Sequence, residues 1–164
     1  MSHNTPHNPL TNEAAPKRSR RKEARPGELL EAALDLFVEK GFAATRVDDV
    51  AARAGVSKGT LFLYFPSKEE LFKAVVRENI VGRFTEWNTE LETFVGTTSE
   101  VLTYCYQVWW GRIGATKASG ITKLMFSEAQ NFPEIAQFYQ QEVILPGRSL
   151  IRRILQRGME RGEF

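Results

Sequence analysis

Beyond residue 25, apolar positions recur every three to four residues along almost the whole chain, and no alternating strand pattern persists. Leu29, Leu30, Ala33, Leu34, Leu36 and Phe37 form the first stripe, which predicts a helix from Pro26 to Lys40. Pro26 suits a first helical turn, and Gly41 suits the left-handed residue that closes one. Val47, Val50, Ala51 and Ala54 share one side of a short second helix ended by Gly55. Thr45 is placed to cap it, with Asp48 as a capping-box partner. Ser57 then caps a third helix that stops before Pro66. Two short helices joined by a tight glycine-containing turn are the sequence form of a helix-turn-helix.

Ser67 and Glu70 make an S-x-x-E capping box for a fourth helix. Leu71, Phe72, Val75, Val76, Ile80, Phe84 and Trp87 carry its apolar period onward. A break near residues 94–100 predicts a new helix capped by Thr98 or Ser99, and further helices follow from residue 119 and from Pro133. The "LPG" at 145–147 predicts a kink or interruption in the last.

Charge sharpens this picture. Residues 17–25, "KRSRRKEAR", hold six basic residues and one acidic one. Glu13 is the only charge before them, so residues 26–164 carry a net −2 within the chain's +2. The concentrated positive charge suits either a polyanionic partner or a solubilising tail. Residues 1–25 read as disordered, being polar, Pro-containing and poor in large apolar side chains. Their start lacks a signal-peptide core, and no apolar run reaches bilayer length, so a cytoplasmic protein with no membrane partner is expected.

Candidate chemistry is narrowed by what the folded part lacks. The only histidines are His3 and His7 in the tail, and Cys105 is the single cysteine. No internal disulfide or cysteine-based metal cluster can form, the folded part has no Cys–His pair, and no carboxylate pair stands out. The sequence therefore reads as a non-enzyme needing no cofactor or metal. In a helix-turn-helix the second helix enters the major groove, which brings Ser57, Lys58, Gly59 and Thr60 to DNA. Hydroxyls and an ammonium suit phosphates or base edges there. Gly59 either lets the backbone approach DNA or relieves crowding between helices. In "LFLYF", Leu61 and Phe65 suit the core, and Phe62 faces outward.

"AARAGVSKGTLFLYFPSKEELF", preceded by "GFAATRVDDV", closely resembles the DNA-binding domain of the TetR/AcrR family of bacterial transcriptional regulators. Gly41, Thr45, Ala51, Gly55, Val56, Ser57, Gly59, Leu61, Tyr64, Phe65, Lys68 and Leu71 fall in register. The likeness is dense over residues 25–85 and looser beyond. It implies an all-α fold: a disordered basic arm at 1–25, a three-helix helix-turn-helix DNA-binding domain at 26–72, and a helical ligand-binding and dimerisation domain at 73–164. It also implies a ligand-responsive DNA-binding regulator, a repressor released from a palindromic double-stranded operator by a small apolar or aromatic effector. The alternative is a helical small-molecule-binding or interaction protein that has lost operator binding.

Carried over by position, the resemblance makes Thr45, Arg46, Ser57, Lys58, Gly59, Thr60, Phe62, Tyr64 and Lys68 the DNA-binding residues. Thr45, Tyr64 and Lys68 would meet phosphates. The chain departs from the family at Phe62, commonly a tyrosine, and at Leu63, often aromatic or polar. Apolar contact with a thymine methyl stays open to Phe62. The aromatic residues beyond 80 suit either a core or a ligand pocket, with Trp87, Tyr104, Gln107, Trp110 and Phe126 as the pocket candidates. Cys105 reads as a small core residue. A homodimer is implied, through the last helix at about 134–161 or through segments lying beyond a shortened chain. The basic arm, leading into the first helix, is expected to add salt-dependent affinity.

Overall fold

The computed structural model describes residues 17–164, with side chains from Pro26 onward. Its described residues are helical throughout, joined by short turns. Helix α1 (Lys17–Ala44) is followed by α2 (Val47–Arg53), α3 (Lys58–Tyr64) and α4 (Lys68–Val76). A π-type turn over Arg77–Val81 joins α4 to α5 (Gly82–Thr93) in one rod. Then come α6 (Thr98–Trp109), α7 (Ser119–Glu128), α8 (Pro133–Tyr139) and α9 (Leu145–Glu160).

The first helix begins at Lys17 rather than Pro26, so part of the expected disordered arm is helical. Lys, Arg, Glu and Ala are strong helix formers, which accounts for the extension. The rest of that arm, residues 1–16, lies outside the described residues. The regular helix breaks at Gly41, whose φ of 81° and ψ of 174° turn the chain sharply. Phe42 then drops into the core and is fully buried. There it stacks 5.8 Å from Phe37 and meets Phe72 edge-on at 5.5 Å. Such aromatic pairs contribute about 1 kcal/mol each beyond the area they bury.

The predicted apolar stripes are the buried ones. Leu29, Ala33, Leu36 and Phe37 of α1 meet Leu71, Phe72, Val75 and Val76 of α4, and Val50 and Leu61 close the cluster from α2 and α3. The same cluster continues through Ile80, Trp87, Val101, Ile121, Ile135 and Ile154, so one core runs the length of the described chain. The division expected between residues 72 and 73 falls inside α4.

Several caps differ from expectation. Thr97, not Thr98 or Ser99, caps α6 and forms a full capping box with Glu100, because Thr98 is already the first helical residue. Thr98 is buried instead, its N–H donated to Glu163. Ser67 caps α4 as expected by accepting from the Glu70 N–H at 3.1 Å. The Glu70 carboxylate does not return the bond and pairs with Lys73 at 3.1 Å. The interruption expected around Pro146 is a π-type turn over Gln140–Ile144. The Leu145 N–H reaches the Gln140 carbonyl, and the Pro146 that follows has no N–H to continue a regular ladder.

Helix α7 lies along α1 and ties the two ends of the molecule together. Lys117 pairs with Asp35 at 2.6 Å, where α7 begins. Gly120 brings the backbones close: a Cβ there would stand 2.6 Å from Val38 Cγ1. Gly120→Ala should therefore destabilise the fold by about 1–3 kcal/mol in a urea melt. Adding Val38→Ala should restore most of the loss, and a double variant whose losses simply add would refute the close approach.

Candidate nucleic-acid interface

The helix-turn-helix is built from local geometry. The α2 helix ends in a hydrogen-bonded reversal in which Gly55, at φ 70°, is the left-handed residue and the Val56 N–H reaches the Ala51 carbonyl at 2.9 Å. Ser57 then caps α3 by accepting from the Thr60 N–H at 3.1 Å. Leu61 is fully buried and anchors α3, while Phe65 at its end packs partly against the core. Both core assignments hold. The opposite side of α3 is open: Ser57, Lys58, Gly59, Phe62 and Leu63 are exposed, with Thr60 half-buried and Tyr64 at the margin.

At Gly59 an added Cβ would meet only Ser57 Oγ, at 3.9 Å. Crowding within the chain does not require the glycine. Lys58 and Arg46 stand on the same outer rim. The Asp48 carboxylate lies 3.1 Å from Lys58 Nζ and 3.6 Å from Arg46 Nη2. It is thus a positional partner for two exposed cations and not the capping-box acid expected for α2. Arg46, not Thr45, occupies the N-cap position of α2, and no side chain bonds there.

Thr45 and Lys68 both hydrogen-bond to backbone carbonyls at the α1–α2 corner. Thr45 is buried, and its hydroxyl is shared between the carbonyls of Gly41 at 2.6 Å and Leu36 at 3.1 Å. It ties the end of α1 to the chain that enters α2 and does not face outward. Lys68 Nζ donates to the carbonyls of Phe42 at 2.9 Å, Thr45 at 3.2 Å and Ala43 at 3.3 Å. An ammonium has three protons, and here each has a carbonyl partner. The charge also sits 4.6 Å from the centre of the Phe42 ring. Lys68 staples the α1–α2 corner.

The corner is gripped from the other side as well. Glu128, at the end of α7, accepts from the N–H groups of Phe42 at 3.2 Å and Ala43 at 3.5 Å. Sequence reasoning missed Glu128. No local pattern marks a carboxylate whose partners lie more than eighty residues away.

A separate cavity of about 500 Å³ opens among α5, α6, α8 and α9. Its wall includes Ile80, Phe84, Trp87, Tyr106, Trp109 and Tyr139. Of the five predicted pocket residues only Trp87 lines it. Tyr104 packs on Phe94 at 5.6 Å, Gln107 and Trp110 are exposed, and Phe126 is 86% exposed. The spacing of Tyr104, Gln107 and Trp110 marks a genuine helix face, but the adjacent face, with Leu102, Cys105, Trp109 and Ile113, turns inward. Cys105 is half-buried on this wall, and burial, aided by Glu90, pushes its thiol pKa up. That disfavours the reactive thiolate. The Tyr139 hydroxyl, also raised by burial, meets Thr122 Oγ1 of α7 at 3.0 Å. Another depression, beside α1 and α2, is walled by Glu28, Glu31, Asp35 and Arg53 and is too polar and acidic to suit an apolar ligand or DNA. Among the described residues no three His, Cys, Asp or Glu side chains gather as a metal site, and no helix is long and apolar enough to cross a membrane.

Two short helices at a fixed turn, the second clamped by its inner face and open on its outer one, define a helix-turn-helix protein. Residues 29–75 match the family model for bacterial regulatory proteins of the tetR family. Over that segment, which is 47 of the 164 residues, the chain resembles the TetR family. It is 52% identical over 62 residues to the HTH-type transcriptional regulator RutR of Escherichia coli K12, covering 38% of this chain and 29% of that one. It is 28% identical over 151 residues to the HTH-type transcriptional repressor KstR2 of Mycolicibacterium smegmatis, covering 92% and 72%. The fold is similar to that of the fatty acid degradation regulator FadR from Bacillus halodurans, with a TM-score of 0.71 and 25% identity over 85% of this chain and 70% of that one. The matched segment thus spans less than a third of the length of RutR.

Lys68→Met should lower unfolding free energy by about 1–3 kcal/mol, since it leaves corner carbonyls without their charged donor. A denaturant melt checks this. A variant as stable as the parent would refute the staple.

Proposed function

We propose that the protein is a transcriptional regulator that binds operator DNA through the outer face of α3 and whose affinity is set by a small apolar or aromatic effector. The observation that carries this reading is the exposed face of α3, with Lys58 and Arg46 on its rim, held against a core that fixes its orientation. The names of RutR and KstR2 support the same activity, and that of KstR2 favours repression. The effector site in this reading is the α5–α9 cavity, whose aromatic and aliphatic wall suits an apolar body. The Bacillus halodurans relative, named for fatty acid degradation, agrees with that chemistry.

Repression requires two recognition helices about one helical turn of DNA, roughly 34 Å, apart, so the working unit is a homodimer on a palindromic site. The effector favours a conformation in which that spacing is wrong. Helix α7 is the shorter route between the two ends, since it carries Thr122 at the cavity and Glu128 at the α1–α2 corner. The continuous α4–α5 rod is the second.

The test is fluorescence anisotropy with duplex DNA from upstream of the protein's own gene, over a range of salt concentrations. Binding should exceed that of a scrambled duplex. Lys58→Met should reduce the slope of log affinity against log salt by about one, and Lys68→Met should leave the slope unchanged. Equal binding to both duplexes would favour the reading as a ligand-binding protein without an operator.

A further inference from the structure

The hydrogen-bonding groups on the α3 tip already have partners within the protein. Ser57 Oγ accepts from the Thr60 N–H and lies 2.9 Å from Thr60 Oγ1. Lys58 Nζ pairs with Asp48 at 3.1 Å and lies 5.9 Å from the centre of the Phe62 ring. What the outer face offers besides these groups is apolar. Leu63 is 85% exposed and Phe62 is 38% exposed, against 0% for Leu61 between Thr60 and Phe62.

Helical geometry places these groups together. At about 100° per residue, Leu63 and Gly59 point almost directly away from Leu61. Gly59 precedes Leu63 by one turn and leaves it unscreened. Phe62 flanks it on one side. Leu63 thus forms the crest of the outer face of α3, the face that turns toward the bases when the second helix of such a motif lies in the major groove. In that groove the one apolar group on a base edge is the thymine 5-methyl.

We propose that Leu63, supported by Phe62, is a specificity-determining residue that reads thymine 5-methyl groups in the operator half-site. The inference rests on the DNA-binding reading above and specifies its chemistry. Lys58 and Arg46 supply attraction to phosphate, which carries no sequence information, and the Leu63 crest supplies the preference. A base without the methyl leaves the crest facing water. A methyl placed on cytosine offers the crest the same contact from a G·C pair.

The experiment uses the full chain. Duplexes are selected from a random-sequence pool, and the consensus is resynthesised with deoxyuridine at each thymine in turn. Affinities are measured at one fixed salt concentration. Deoxyuridine should weaken binding about fourfold at one or two positions in each half-site, the effect of one buried methyl. Leu63→Ala should weaken the thymine duplex to match and so erase the thymine–uracil difference. The side chain is exposed, so this change should leave the melting temperature in place. At the same positions, 5-methylcytosine should bind more tightly than cytosine. A consensus that tolerates deoxyuridine at every position, or a Leu63→Ala protein that keeps the difference, overturns the inference while the DNA-binding reading stands. Failure to select any duplex above the pool overturns both.

Discussion

A single ammonium group at the start of α4 sets the geometry on which the interface depends. Lys68 Nζ gathers the carbonyls of Phe42, Ala43 and Thr45, backbone acceptors where α1 turns into α2. Helix ends always leave such groups without intrahelical partners, and a corner near the core cannot rely on water alone to satisfy them. Glu128 answers from the opposite side by accepting from the Phe42 and Ala43 N–H groups. One positive and one negative side chain, from α4 and α7, therefore hold the same few residues of backbone. Phe42, seated between Phe37, Phe72 and Phe132, locks the corner into the core.

The consequence reaches α3. Helices α2 and α3 have seven residues each, too few to be stable or to keep an orientation by themselves. Their placement comes from the corner at one end, from Val50 and Leu61 in the core, and from the bonded ion pairs Arg53–Glu39 and Lys40–Asp49 back to α1. With its inner face so fixed, α3 can present glycine, phenylalanine and leucine to the outside without those residues sharing in the fold. Exposed apolar side chains of this size add little to the stability of a monomer, and a partner surface gives them a use.

Much of this was legible in the sequence, where the information is local. The stripes at three-to-four spacing gave the helices, and Gly55, Ser57 and Ser67 gave the turn and two caps, because those signals act within a few residues. The internal partners of Thr45 and Lys68 carry no local signal, because they are backbone carbonyls brought near only by the folded chain. Glu128 carried no signal at all. The cavity wall shows a different failure. Helix α6 is apolar on more than one face, so periodicity alone could not choose between the face of Tyr104 and Trp110 and the face of Cys105 and Trp109. The choice was made by where α5, α8 and α9 pack.

The central claim is that the outer face of α3, positioned by the corner, is the surface that meets DNA. Amide hydrogen exchange of the full chain, with and without a saturating selected duplex, addresses it directly. The account predicts slowed exchange across residues 46–49 and 57–64, with little change along the exposed parts of α6 and α9. Protection that spares residues 57–64, whatever else it covers, would contradict it.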